Sequence, residues 1–256
     1  MTARSTLFGV AVDPLTMDQT VERCLAAVRE ERGLEVGVVN AAKLVTMRRD
    51  PRLRDAVAGC DLVVADGQAV VWAARLLRTP LPERVAGIDL FMRLLAAAEQ
   101  HGYRVYFLGA RQEVLDRMNR QVAERFPGLK VAGSRNGYFD DAEQPGIADA
   151  VRDSGAQLLF LGMTSPKKEI FTAAYGQRTG VHVVHGVGGS FDILAGVTRR
   201  APLRWQRLGL EWLYRLLQEP RRLARRYLTT NAAFLAMTVR ELVRRTPAAP
   251  SANRSY

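Results

Sequence analysis

The strongest constraint on this chain is a series of short strands that are apolar on both side-chain faces. Runs rich in Val, Leu and Phe stand at 7–12, 36–39, 62–65, 105–108, 129–132, 158–161 and 181–185. A strand without apolar/polar alternation needs cover on both sides, which is the condition of a parallel sheet. Between the runs lie helical patterns at 17–32, 41–48, 52–58, 69–77, 90–101, 112–126, 142–153 and 167–176. This alternation predicts an α/β fold, a mostly parallel sheet with helices on both faces. Thr16 or Asp18 can cap the first helix, and Gly33 and Gly102 are placed to end theirs in a left-handed conformation.

From Pro202 onward the strands stop. Three helical patterns follow, broken at Pro220 and near Thr230, and a Pro/Ala/Ser segment after Thr246 reads as disordered. The expected organisation is a core at 1–198, a helical appendage at 199–245 and a tail at 246–256. The charge follows the same division. Of the formal +11, residues 199–256 hold +10, from 13 arginines, no lysine and three acids, while residues 1–198 are near neutral. Such a concentration calls for a polyanionic partner: an anionic membrane, a diphosphate or a nucleic acid.

Cys24 and Cys60 cannot make a disulfide framework for 256 residues, which points to a reducing compartment. The opening MTARSTLFGVAVDPLT holds one short apolar run broken by Asp13 and Pro14, unlike a signal peptide. No stretch approaches 18 uninterrupted apolar residues, so a cytoplasmic location is expected.

Ligands of open α/β sheets sit beyond the carboxyl ends of the strands. Standing there are Asn40, Asp66-Gly67-Gln68, Gly109-Ala110, the run from Gly162 to Glu169, and the run from Gly186 to Asp192. Asp66 leaves an apolar strand and reads either as a general base of raised pKa or as a helix cap. Asn40 likewise reads as a ligand or as a cap. Ser165 is placed as the N-cap of a helix whose first turn holds Pro166, Lys167 and Glu169, a start that suits a phosphate. The glycines at 186, 188 and 189 do not have the dinucleotide G-x-G-x-x-G spacing. With no Walker lysine motif and only His101, His182 and His185, no metal and no cofactor is expected, and His182 and His185 read as packing residues. In the appendage Leu208, Trp212, Arg215 and Leu216 share a helical face, with Leu210, Leu213, Tyr214 and Leu217 widening it. Trp and Tyr beside Arg suit a lipid–water interface; a helix packed on the sheet with solvated arginines is the alternative.

In order and spacing, VNAAKLV (39–45), ADGQAVV (65–71), RVAGIDL (84–90), VYFLGA (105–110), NGYF (136–139), GMTSPKKE (162–169), HGVGGSFDILAG (185–196) and the block at 200–222 form one pattern. Over roughly residues 7–228 the sequence resembles the WecG/TagA/CpsF glycosyltransferases. The resemblance implies a Rossmann-like core and a C-terminal appendage that docks on membrane and closes the site. It implies an inverting, metal-independent transfer of a sugar from a UDP-sugar to a polyprenyl-diphosphate-linked sugar, in cell-surface polysaccharide or teichoic-acid-type synthesis. Asp66 takes the place of the family's proposed base and Asn40 that of its neighbouring asparagine. The substrate-binding set becomes Val38, Asn40, Gln68, Gly87, Asp89, Gly109, Ala110, Pro166, Lys167, Lys168, Glu169, Gly188, Gly189 and Asp192. Arg200, Arg215, Arg222 and Arg225 are assigned to the diphosphate of the lipid-linked acceptor. Two positions depart from the family pattern: Val38 replaces its usual Thr, and Lys168 its usual Gln. Both bear on the sugar, with N-acetylmannosamine the first choice and glucose or another hexose the alternative. The implied partners are the donor, the acceptor and an anionic membrane surface on the inner face of the cell membrane, with no nucleic acid; a homo-oligomer stays open. Two rivals come from other classes. One is a basic nucleic-acid-binding protein, supported by an isoelectric point near 10.3; the other is a non-catalytic membrane scaffold.

Overall fold

The computed structural model describes residues 3–218 and 220–245. The chain opens with β1 (Ser5–Leu7), β2 (Val10–Val12), α1 (Met17–Arg29), β3 (Leu34–Val39), α2 (Ala41–Met47), α3 (Pro51–Ala58), β4 (Leu62–Ala65), α4 (Gln68–Leu76) and α5 (Gly87–His101). Its middle runs β5 (Arg104–Gly109), α6 (Gln112–Arg125), β6 (Lys130–Arg135), α7 (Gln144–Asp153), β7 (Leu158–Gly162), α8 (Lys167–Tyr175), β8 (Val183–Gly186) and α9 (Ser190–Leu194). Three helices complete it: α10 (Leu203–Arg207), α11 (Glu211–Gln218) and α12 (Pro220–Arg245).

Six strands form one parallel sheet in the order β4-β3-β8-β7-β5-β6. Both faces of its central strands are apolar, as the sequence predicts. In β5, Val105 and Phe107 point into one core with α1, α5, α6 and α9, while Tyr106 and Leu108 point into another with α7 and α8. In β4, Leu62 and Val64 join the first core, and Val63 and Ala65 join a third built with α2, α3, α4 and α12. Helices therefore cover the sheet on both sides, and all six strands end at one edge.

Several local expectations are corrected. The run at 7–12 is a hairpin rather than one strand, because Phe8 and Gly9 both take positive φ (54° and 80°) and turn it tightly. Phe8 holds this unfavourable conformation while its ring packs edge-on against Phe234 at 5.4 Å. Thr16, with Gln19, forms a capping box on α1, and the chain leaves that helix through Glu31 (φ 50°) rather than Gly33. Gly102 ends α5 in a left-handed conformation as expected. No break occurs at Thr230: α12 is one helix of 26 residues. Residues 221–245 contain neither Gly nor Pro, and threonine costs a helix only a few tenths of a kcal/mol. The break lies earlier, at Gly209 (φ 69°), so Leu208 is not on the helix that carries Trp212. The segment expected to be disordered, 246–256, lies outside the described residues.

Glu35 offers a test of this packing. Its carboxylate lies against the end of α8, where a Cβ on Gly176 would stand 2.2 Å from Oε1. Burial, with Asp61 nearby, pushes its pKa up from 4.5 to about 7. The folded state thus holds a proton that the unfolded chain has released, so stability should fall as pH rises from 4.5 to 7. Glu35→Gln should remove this part of the slope and be more stable than the parent at alkaline pH. Denaturant unfolding across that range measures both effects.

Candidate active site

The strand ends meet over a floor that only glycine can make. Gly109 has φ +150°, and a Cβ there would lie 2.4 Å from the Gly162 carbonyl carbon. A Cβ on Gly162 would in turn meet the Phe191 ring at 2.2 Å. Ala110 follows in a left-handed conformation (φ 57°), held by its N–H to the Gly162 carbonyl (3.0 Å) and its carbonyl to the Gly137 N–H (2.9 Å). Beneath lies an aromatic cluster in which Phe91 meets Phe160 at 4.8 Å and Phe191 at 5.8 Å.

Asp66 emerges from β4 half-buried, its own N–H donated to the Val39 carbonyl (2.8 Å). It does not cap α4. That helix has Gly67 at its N-cap and no side-chain cap. Burial pushes the Asp66 carboxyl above the usual aspartate range; Arg84 pulls it back, Glu211 adds to the rise, and the Gly87 N–H and Arg215 lower it. Gly87 works in both directions, since its carbonyl accepts from His185 Nε2 at 3.1 Å. His185 is fully buried, and burial holds its pKa down at about 4, so the ring is neutral at pH 7. The packing residue of the sequence reading therefore also holds Gly87, whose N–H lowers the Asp66 pKa.

Beside Asp66 three ionised groups are packed out of solvent. Glu169 Oε1 accepts from Lys43 Nζ at 2.7 Å and from Lys168 Nζ at 3.0 Å, with all three residues buried. Burial works to raise the Glu169 pKa, but the two ammonium groups outweigh it and bring it down to about 2. Burial, with Lys43, lowers Lys168 to about 8. The Lys168 stem lies across Gly186, where a Cβ would stand 2.9 Å from Cδ. Val38 is itself a core residue, and it lines with this cluster a cavity of about 20 Å³, room for one water. Glu169 Oε2 is buried without a partner among the described residues.

Residues from 200 onward close one side. Arg200 makes a two-pronged pair with Asp89 (2.6 and 2.7 Å) and reaches Glu211 at 3.5 Å, and Glu211 pairs with Arg84. Two residues expected to bind substrate and diphosphate thus bind each other. Gly209 sits on Gln68 and Trp72; a Cβ there would lie 2.7 Å from the Gln68 Cβ. Arg215 is exposed and close enough to Asp66 to lower its pKa. The side chains of Arg222 and Arg225 lie outside the described residues.

Helix starts differ in their caps. Thr16, Asn40 and Asp50 cap α1, α2 and α3 with their side chains. At the cleft, α4, α6 and α8 begin without side-chain caps, leaving first-turn N–H groups available to an anion. Ser165 is not the expected cap of α8, since Pro166 holds the N-cap position. Lys167 turns away from the helix start and donates to the carbonyls of Gly137 (3.0 Å) and Phe139 (2.9 Å). Asn40 is a cap, its Oδ1 accepting from the Lys43 N–H at 2.9 Å, and it is also the neighbour of Gly67. Gly188 (φ 53°) and Gly189 lead into α9, where the Asp192 carbonyl accepts from Val197 and Thr198. Among the described residues no three His, Cys, Asp or Glu side chains gather as a metal-binding group.

Residues 5–248 match the glycosyl transferase WecG/TagA/CpsF family. The chain belongs to that family. It is a glycosyltransferase of cell-surface polysaccharide synthesis, and the resemblance drawn from the sequence blocks holds over nearly the whole chain. The non-catalytic readings of the basic tail give way to it.

Sequence reasoning missed Lys43, Arg84 and Glu211. Lys43 and Arg84 lie inside matching blocks, yet nothing in their spacing shows that one is buried against α8 and the other paired across 127 positions. A lysine in an otherwise apolar helix face, AAKLV, was the available signal. Glu169→Gln should strand two buried ammonium groups and cost about 3–5 kcal/mol, the usual loss when one partner of a buried ion pair is removed. Urea unfolding measures it; a loss near zero would mean the cluster is open to water.

Proposed function

We propose that this glycosyltransferase moves a hexosamine or hexose from a UDP-sugar to a polyprenyl-diphosphate-linked sugar, with inversion and without a metal. The observation that carries this reading is Asp66, a carboxylate at a strand end whose burial raises its pKa and which lies beside Gly87. Asp66 takes the proton of the acceptor hydroxyl as that oxygen attacks the anomeric carbon. The bond from that carbon to the diphosphate oxygen breaks, and UDP leaves from the opposite face. Negative charge grows on the departing diphosphate, and fixed donors already aimed there stabilise it without reorganising. The uncapped starts of α6 and α8, with Arg215, are the candidates for that work.

The acceptor is a lipid, so the enzyme works at the inner membrane face. No described helix is long and apolar enough to cross a bilayer. Support for peripheral attachment comes from Trp72, Leu76, Leu208, Trp212 and Leu217, large apolar side chains exposed on α4 and the appendage among many arginines.

Asp66→Asn keeps the shape and removes the base. Turnover should fall by about 10²–10⁴-fold while UDP binding, read by calorimetry, changes little. In the parent, kcat should decline as pH drops through the raised Asp66 pKa, with the acid limb above that of an ordinary aspartate. Near-normal turnover in the variant would assign the base elsewhere.

N-acetylmannosamine is the first donor to test. Lys168 and Val38, which line one cavity where the family usually has Gln and Thr, are the grounds for trying glucose and other hexoses. Lys168→Gln leaves the Lys43–Glu169 pair in place, so the fold should persist. Val38→Thr with Lys168→Gln should shift the ratio of kcat/KM for N-acetylmannosamine over glucose donors. An unchanged ratio would remove these two positions from sugar selection.

A further inference from the structure

The far end of α2 from the cleft carries a second feature. Asn40 and Lys43 begin this helix at the strand ends, and Arg48 follows about 12 Å further along, at 1.5 Å per residue. There α2 and α12 enclose a groove of about 380 Å³. Val45, Ala236 and Met237 lie along it, and Arg48, Arg49 and Arg240 stand around it. All three arginines are exposed, and no hydrogen bond or ion pair joins their guanidinium groups to any described residue. The neighbouring Arg244 and Arg245 share Glu241, and Arg245 also reaches the carbonyls of Leu77 and Thr6. Two arginines after the last turn of α2 suit its C-terminal dipole. That accounts for Arg48 and Arg49 but not for Arg240, which stands on another helix, before its last turn.

The outer face of α12 indicates what could fill the groove. Leu228, Leu235, Val239 and Val243 are 72, 65, 50 and 69% exposed. Their spacing places them in one stripe, opposite Phe234, Met237 and Thr238, which face the core. Ala236 and Arg240 lie between the stripe and the core-facing side, so the groove opens beside the stripe. A bilayer seated on the stripe would put its headgroups at the level of the three arginines. Three cations that no described residue pairs, around an apolar floor, fit an anion that carries a hydrocarbon chain.

We propose that the α2–α12 groove binds one acidic phospholipid, its phosphate on Arg48, Arg49 and Arg240 and the start of its acyl chain on Val45 and Met237. The site is separate from the Asp66 cleft and does not depend on which sugar is transferred.

The test uses the full chain with vesicles of phosphatidylcholine alone and of phosphatidylcholine mixed with phosphatidylglycerol. Arg48→Gln/Arg49→Gln/Arg240→Gln is compared with Arg117→Gln/Arg120→Gln/Arg125→Gln, which removes the same charge from exposed positions on α6. Partition onto the acidic vesicles should fall by about a hundredfold in the groove variant, from about 1 kcal/mol per arginine, and much less in the control. Equal losses in the two variants would show diffuse attraction and overturn the site. A short-chain phosphatidylglycerol, kept below its micelle concentration, should bind the parent saturably with one molecule per chain. Inorganic phosphate should not displace it at equal concentration; displacement would make this a free-anion site and overturn the lipid assignment. Turnover with a water-soluble acceptor should be the same in both variants. Its loss in the groove variant alone would assign these arginines to the cleft and overturn the proposal, whereas a parent with no turnover on UDP-sugars would count against the transfer reading and leave the vesicle result standing.

Discussion

Because all six strands of the main sheet run the same way, no two neighbours can be joined by a tight turn, and each return must cross a face of the sheet. That requirement places the helices on both sides, makes both strand faces apolar and brings every strand's carboxyl end to one edge. The hairpin at the start of the chain serves the same architecture. Asp13, just after β2, exchanges hydrogen bonds with both backbone groups of Val63 at 2.7 and 2.8 Å, which protects the edge of β4. What stands at the sheet's carboxyl edge is then decided by a few close approaches, above all Gly109 against Gly162 and Gly162 against Phe191. Larger side chains there would push apart the strands that carry the site.

The charges at that edge are arranged so that burial and pairing oppose one another. Two lysines hold Glu169 ionised where burial alone would protonate it, and the cluster as a whole stays positive next to Asp66. Among the described residues Asp66 has no such bonded cation. Arg84, its strongest attractive influence, is itself paired to Glu211, which pushes the Asp66 pKa back up. One carboxylate is thereby kept ionised as structure, and the other has its pKa raised by burial. The difference comes from which cations are free, since both groups are acids in a desolvated place.

The appendage is tied to the core by contacts of different physics. Near the cleft the ties are ionic, through Asp89, Arg200, Glu211 and Arg84, and partly open to solvent, so each pair contributes little alone and the network holds position more than it adds stability. Further along the attachment is apolar: Phe234 and Met237 of α12 belong to the same core as Val63 and Leu53. The last strand ends at Gly186, while burial continues past 198 into α12.

The sequence by itself determined the sheet and its cover, because apolar strands alternating with amphipathic helices admit few other packings. It also determined the order of the strand-end blocks, the concentration of arginine after 198 and, through those blocks, the family. Features that follow from a residue's own position in an element, such as the place of Asp66 at a strand end, the cap at Asn40 and the helix end at Gly102, were legible for that reason. Tertiary structure alone decided which charges meet. Lys43 with Glu169, Asp89 with Arg200 and Arg84 with Glu211 are separated by more than a hundred residues, and a side chain's partner over such a span depends on how helices cross, which no local period records. The same holds for the positive φ of Phe8 and Ala110, where packing on Phe234 and hydrogen bonds to Gly162 and Gly137 override the local preference that would have placed glycine there.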